Sequence, residues 1–522
     1  MKIYFFFSCY ISSYSGPFMT LFPDPEEREG AVLPAAVEVL IIGGGPTGLG
    51  AATRLNQLGF PSWTLVESEH EPGGLASTQV TPEGFLFDMG GHVIFSHYEY
   101  FDELLDSAVG SGPEHWNVHE RESYVWIKQR WVPYPFQNNL FRLPVDDQVA
   151  CINGLIESFE KSQVEKISKN FDQWIVNTMG TGIADLFMRP YNSKVWACSP
   201  DAMQCDWLGE RVARVDLKKV IENTLRNKSD QGWGPNATFR FPINGGTGGI
   251  WRSIASILPK EKVFYGKKLT GLDIEAHIAK FSDGSVCMYQ NLISTAPLDL
   301  TLSWAGHPMK DQLMYSSTHI VGLGIRGTNV HEKKCWMYFP EHNCPFYRCT
   351  VFSLYSESNC PGETTVLPTL RLAGGENCSS ELKSGPYWSL MFEISESREK
   401  PVDISSIIEE TIQGALNTKL LLPESEVVSI FHRRLERGYP TPSLSRDAAV
   451  IDGLAFLRSK NVWSRGRFGA WKYEVGNQDH SLMQGVEAVD NILFGHPELT
   501  LENPSLINGR RNCDLKYTAK DE

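Results

Sequence analysis

Residues Val37–Gly59 read VEVLIIGGGPTGLGAATRLNQLG, and this stretch decides the fold. Val37–Ile42 is an apolar run of strand length, Gly43-x-Gly45-x-x-Gly48 turns out of it, and Thr47–Leu58 has helical spacing. A second strand, Trp63–Glu67, follows Gly59 and Pro61. In such a β-α-β opening the first glycine permits the turn, the second lets backbone approach a pyrophosphate, and the third packs helix on strand. The phosphates then sit on the free N–H groups of the helix start. Glu67 ends the second strand, where an acid bonds the ribose hydroxyls of an adenosine. A bare glycine turn would need none of this order, so Gly43, Gly45, Gly48 and Glu67 are read as a dinucleotide cradle.

The rest of the chain bounds that reading. Its 522 residues exceed what one hydrophobic core usually serves, so two or three domains are expected. A formal net charge of −14 excludes general nucleic-acid binding, and an anionic ligand must be met by local arginines or helix N-termini. Eleven cysteines without a C-x-x-C pair show neither zinc spacing nor a disulfide framework. They imply reduced thiols and a cytoplasmic protein with no metal. The segment MKIYFFFSCYISSYSGPF superficially suits a signal peptide but is short and Ser-rich, and is read as a disordered extension, with Met19 an alternative start.

Domain order follows from texture. Residues 1–36 read as a tail. Residues 37–140, 231–300 and 431–510 form three parts of the cofactor domain, with a meander over Leu269–Ser294. Residues 141–230 carry apolar positions at helical spacing, and 301–430 contain short β-rich runs broken by Gly, Pro and Asn. Residues 511–522 are a C-terminal tail. The expected fold is α/β: an FAD-binding Rossmann-like domain with an inserted helical domain and an antiparallel β-sheet substrate domain.

FAD is preferred to NAD on two signals. After Glu67 the chain reads PGGLAST, and Gly73, Gly74 and Ser77 resemble the second glycine pair of amine-oxidase-type and glutathione-reductase-type flavoproteins. Near the other end, AWKYEVGNQDHSLMQGVEAVDN reads as Gly476 followed by a helix with Leu482, Val486 and Val489 on one face. Its start, with Asn477, Gln478 and Ser481, would present free N–H groups to a polar ring edge.

The motifs GGGPTGLGAA, FLFDMGGHVIFSHYEYFD, WVPYPFQNN, DLFMRPYN, WLGERVA, WGPNATFRFP, YFPEHNCPFYR, HRRLERGYPTP and WSRGRFGAWKYEVGNQDHS together resemble the eukaryotic, especially fungal, UDP-galactopyranose mutases. The resemblance covers roughly residues 37–510 and implies interconversion of UDP-galactopyranose and UDP-galactofuranose, supplying galactofuranose for cell-surface glycans. It implies reduced FAD, a covalent flavin N5–sugar adduct, and NADPH as reductant. No Ser-His-Asp signature is required, because the cofactor supplies the nucleophile. A homo-oligomer is compatible with the sequence.

The resemblance also implies the site. Arg211 and Arg348 match the diphosphate clamp, a task suited to the planar guanidinium fork. Tyr338, Tyr355, Tyr439 and Tyr473 match substrate tyrosines; Tyr347 has no counterpart and reads as packing. Tyr134, Gln137, Phe187, Met188, Asn192 and Trp196 match a uridine slot, although Phe187 and Met188 in DLFM also suit an ordinary helix core. Asn236 matches a mobile loop, and Ser193 replaces a bulkier residue beside the slot. His92, after Gly90 and Gly91, matches a flavin-side histidine, and Gly91 lies with it against cofactor. Arg121 and Arg467 match flavin-proximal arginines, Arg467 having an ion pair as its bland alternative. The competing readings are an amine-oxidase-like FAD oxidoreductase and a non-catalytic nucleotide-sugar-binding flavoprotein; neither oxidase chemistry nor a small apolar substrate needs a diphosphate clamp.

Overall fold

The computed structural model describes residues 32–161, 167–213, 215–231, 234, 237–375 and 378–517. The N-terminal segment read as a disordered extension, together with Asn236, lies outside them. Ala36–Ile42 is the centre of a seven-stranded sheet, pairing in parallel with Trp63–Val66 on one side and Val286–Ser294 on the other. Leu40 and Ile41 are fully buried, which is why the strand reads as apolar without alternation. Val263–Phe264 and Val462–Ser464 extend the parallel part, whereas Leu269–Asp273 and Ile278–Phe281 form the antiparallel edge.

Helix Pro46–Gln57 starts with Pro at its first turn and packs on the late helix Gln478–Phe494. The two backbones nearly touch. A Cβ on Gly50 would stand 2.3 Å from the Leu482 carbonyl oxygen, and one on Gly485 would stand 1.9 Å from that of Thr47. Both positions therefore exclude any side chain.

The second sheet has eight strands, in the order Arg371–Leu372, Glu426–Pro440, Tyr315–Arg326, Tyr387–Glu396, Arg348–Val351, Trp336–Tyr338, Ser123–Ile127 and Arg130–Pro133. All neighbours are antiparallel except Trp336–Tyr338 with Ser123–Ile127. The last two strands fall in the stretch expected to belong to the cofactor domain, and the long strand Glu426–Pro440 runs through the boundary expected at 430. The sheet edge, rather than sequence order, governs where these segments pack, because an unpaired Trp336–Tyr338 would leave a row of backbone groups open.

Helices Val145–Lys161, Phe171–Ile183, Arg189–Trp196 and Leu217–Arg226 form the helical region. Between the second and third, Ala184–Met188 is one wide turn, with the Arg189 N–H reaching back to the Ala184 carbonyl. Wide turns of this kind shift the phase of a helix and often occur at functional sites. The helical region shares one hydrophobic cluster with the second sheet, in which Phe187 and Met188 lie with Trp336, Tyr338, Tyr355 and Met391. No described helix is long and apolar enough to cross a membrane.

Candidate functional site

Two glycine loops meet at the start of the first helix. Gly43 has φ +101°, which a side chain would strain, and Gly45 caps Pro46–Gln57. The Gly73 N–H donates to the Gly44 carbonyl at 2.9 Å, and a Cβ on Gly74 would come within 3.5 Å of Gly45 Cα. Gly48 packs so closely that its Cβ would reach 1.8 Å from the Gly43 carbonyl oxygen. Buried Glu67 accepts from the Gly44 N–H at 2.5 Å and from the Ser68 hydroxyl and Glu69 N–H at 2.9 and 2.8 Å. The acid is thus fixed at the loop. Ser77 connects this loop to the next, its carbonyl accepting from the Met89 N–H at 3.2 Å.

Met89 leads into Gly90-Gly91-His92, and here the cofactor side meets the second sheet. The Gly91 N–H donates to Glu393 Oε1 at 3.1 Å. The same carboxylate accepts from Arg348 Nε and Nη2 at 2.6 and 2.5 Å, and from the Tyr347 hydroxyl at 2.9 Å. Burial works to raise the Glu393 pKa, but Arg348 and these donors hold it below the usual range. Burial pushes His92 down to about 4; Glu393 opposes the shift, while Arg467 and Arg348 add to it. His92 is a neutral imidazole at neutral pH.

Glu393 was not anticipated. A signal existed, since one acid inside the apolar strand WSLMFEIS must find a cation if both sheet faces are covered. Tyr347, read as packing, likewise acquires a polar role through this carboxylate.

Across from this pair lies a ladder of guanidiniums and tyrosines. Arg211 lies over the Tyr473 ring at 4.8 Å, and Arg467 over the same ring at 5.3 Å and over Tyr439 at 4.8 Å. Arg467 donates to the Gly476 and Gly438 carbonyls and pairs with no carboxylate among the described residues. The ion-pair alternative falls to its neighbour Arg465, which binds Glu498. Arg211 donates to Asn477 Oδ1 at 2.8 Å and the Glu474 carbonyl at 3.1 Å. A buried Arg446–Glu474 pair holds the turn carrying that carbonyl.

The slot residues are grouped less uniformly. Tyr134 lies 4.9 Å from Tyr338, and Arg121 is 5.6 Å above the Tyr134 ring. Tyr191, which the sequence reading passed over, meets Tyr338 edge-on at 5.4 Å and stacks on Phe187 at 5.3 Å. Phe187 also stacks on Phe136 at 4.6 Å, so it and Met188 are core residues as well as slot candidates. Trp196 contacts Tyr473 at 4.9 Å and Tyr439 at 5.6 Å. Gln137 donates to the Ala213 carbonyl at 2.8 Å, which ties the slot to the Arg211 segment. Asn192 instead donates to the Met188 carbonyl at the end of the wide turn that precedes its helix. Tyr355 is fully buried among Phe239, Phe241 and Phe352.

Buried polar groups usually find partners. Several here find none among the described residues: His92 Nδ1, Arg211 Nε, Asn477 Nδ2, Gln137 Oε1, Thr350 Oγ1 and the Tyr355 hydroxyl. Thr350 Oγ1 lies beside Gly91, Asn477 is bonded to Arg211 and Gln137 to the Arg211 segment, so they border the Gly91–His92 turn and the arginine ladder, which fits a polar ligand with an anionic part. Gln478 Oε1, by contrast, accepts from Trp251 Nε1 at 2.9 Å, and Ser481 sits in the first turn of the helix capped by Asn477.

A family model for NAD(P)-binding Rossmann-like domains matches residues 41–108, the segment holding both glycine loops. A crystal structure of reduced UDP-galactopyranose mutase superposes with a TM-score of 0.84 at 46% identity, covering 92% of this chain and 99% of that one. The chain belongs to the UDP-galactopyranose mutase family. Two more distant structures are similar in fold alone. An Exiguobacterium protein described as a protoporphyrinogen oxidase has a TM-score of 0.62 at 13% identity, over 88% of this chain and 99% of that one. A putrescine oxidase bound to putrescine has a TM-score of 0.54 at 14% identity, over 88% and 99%.

Proposed function

We propose that this protein interconverts UDP-galactopyranose and UDP-galactofuranose with reduced FAD, and that NADPH reduces it. The observation that carries the reading is local charge. In a chain of net charge −14, Arg211 and Arg467 lie over Tyr473 and Tyr439, Arg348 lies over Trp336 and Tyr347, and of the three only Arg348 is bonded to a carboxylate, Glu393, among the described residues. That surplus of positive charge suits a nucleoside diphosphate, which enters as an anion and departs with more charge during the reaction.

The glycine loops and Glu67 would hold the adenosine diphosphate part of the cofactor, with Gly91, His92, Asn477 and Arg467 nearest the ring. When bound and reduced, the flavin supplies an electron pair for the anomeric carbon, so no protein nucleophile is needed. Arg348 arrives with its fork already oriented, since Glu393 occupies Nε and Nη2 and leaves Nη1 for phosphate oxygen. Arg211 has Nε without a partner and can turn toward the second phosphate. Tyr338, Tyr355, Tyr439 and Tyr473 exclude water around the charge, and Tyr134, Gln137 and Trp196 line the uridine side. His92, neutral and lacking a partner at Nδ1, is able to exchange a hydrogen bond with the ring edge without adding charge.

The test is direct. Purified protein should carry a yellow flavin spectrum and, once reduced without oxygen, convert UDP-galactofuranose to UDP-galactopyranose. Absence of that product ends the mutase reading, and equal turnover by oxidised enzyme ends the requirement for reduced flavin.

A further inference from the structure

Lys194 is buried, with 5% of its surface exposed, on the helix Arg189–Trp196. Its Nζ lies 3.0 Å from the Phe339 carbonyl, 2.7 Å from the Glu341 carbonyl and 3.3 Å from Cys344 Sγ. Cys344, also 5% exposed, sits in the connection between Trp336–Tyr338 and Arg348–Val351. No carboxylate among the described residues pairs with Lys194, although nearly every buried lysine needs one. A second amine, Lys400, stands near enough to repel a charge on it.

The contacts bring amine and thiol together with no carboxylate of the described residues between them. Nζ donates to both carbonyls and to sulfur, which sets the amine directly against the thiol. Burial lowers the pKa of Lys194 and raises that of Cys344, so both groups are held toward neutrality. The Cys344 thiol has a backbone acceptor of its own, the Phe346 carbonyl at 3.5 Å.

We propose that Lys194 and Cys344 form an oxygen-dependent covalent cross-link, Nζ–O–Sγ, that fastens the helix of the uridine slot to the segment leading into Arg348. Dioxygen is the oxidant. The thiol S–H bond, one amine N–H bond and the O–O bond break; S–O and O–N bonds form, and the second oxygen leaves as water with both released hydrogens. Sulfur and nitrogen together give up four electrons to dioxygen. Full oxidation of a thiol to sulfinic acid is irreversible, whereas a bridge of this type returns to amine and thiol with a reducing thiol. The neighbouring slot residues Asn192 and Trp196 would then be fixed relative to the clamp strand.

The experiment is peptide mapping of the intact enzyme, held in air-saturated buffer and digested without reductant. A Lys194 peptide joined to a Cys344 peptide is expected, heavier than their sum by one oxygen less two hydrogens and separated by dithiothreitol. The joined peptide should be absent from a Cys344→Ala variant and from enzyme kept anaerobic. A Cys344–Cys349 disulfide, sulfinic acid on Cys344 alone, or an unchanged pair of peptides overturns the proposal.

Discussion

The two arginines proposed as the diphosphate clamp are mounted in opposite ways. Arg348 projects from a strand inside a sheet and is locked by a carboxylate that is itself 2% exposed. Arg211 sits on the short turn Gly209–Arg211 and is held by an amide oxygen and a carbonyl. One jaw is fixed before substrate arrives; the other is retained by neutral hydrogen bonds that can be traded. The difference shows how a site can combine a rigid reference point with a movable part, without requiring a whole domain to swing.

The largest effect should come from the fixed jaw. Arg348→Ala should cost about 2–5 kcal/mol of transition-state stabilisation, read as kcat/KM with flavin content unchanged. It also strands Glu393 as a buried charge, so thermal stability should fall. Adding Glu393→Gln to that variant should recover stability and leave activity lost. If the double variant regains turnover, the clamp assignment is wrong.

Glu393→Gln alone tests the lock. Its charge-assisted bonds are each worth about 1.5–3 kcal/mol, and their weakening should lower kcat/KM more than flavin binding. An unchanged kcat/KM would mean that Arg348 is oriented by the sheet alone. On the movable side, Asn477→Ala removes a neutral partner of Arg211 and should cost only about 0.5–1.5 kcal/mol, mainly in KM. A larger loss than for Glu393→Gln would reverse the comparison.

The smallest effect concerns pH. His92 is depressed from 6.5 to about 4 by burial, so between those values the unfolded chain binds more protons than the folded one. Its contribution to stability is present above 6.5 and is lost as pH falls toward 4. His92→Gln should flatten the pH dependence of Tm over this window relative to the parent protein. A parallel dependence in both would assign the acid sensitivity to other groups.

Legibility in the sequence follows the same division. The glycine cradle was readable because its chemistry is local: Gly43, Gly45, Gly48 and Glu67 lie within one β-α-β unit. The match of Arg211 and Arg348 to a clamp came from motif resemblance, since nothing local distinguishes either from a surface arginine. Glu393 was missed because its partners Gly91, Tyr347 and Arg348 come from two other segments, and only strand pairing brings them together. Strands Ser123–Ile127 and Arg130–Pro133, inside the stretch expected to belong to the cofactor domain, join the second sheet for a similar reason. Their pattern specifies a hairpin but not the edge it joins.

The contact of Gly50 with Leu482, and of Gly485 with Thr47, joins residues separated by more than four hundred positions. During synthesis the first helix therefore waits, without its partner, until almost the entire polypeptide has left the ribosome. Closing so long a loop is slow relative to local pairing. On the proposed assignment, cofactor loading should be a late event in the life of each new chain, and a truncated product lacking its last forty residues should keep Gly43, Gly45, Gly48, Gly73 and Gly74 yet fail to retain flavin.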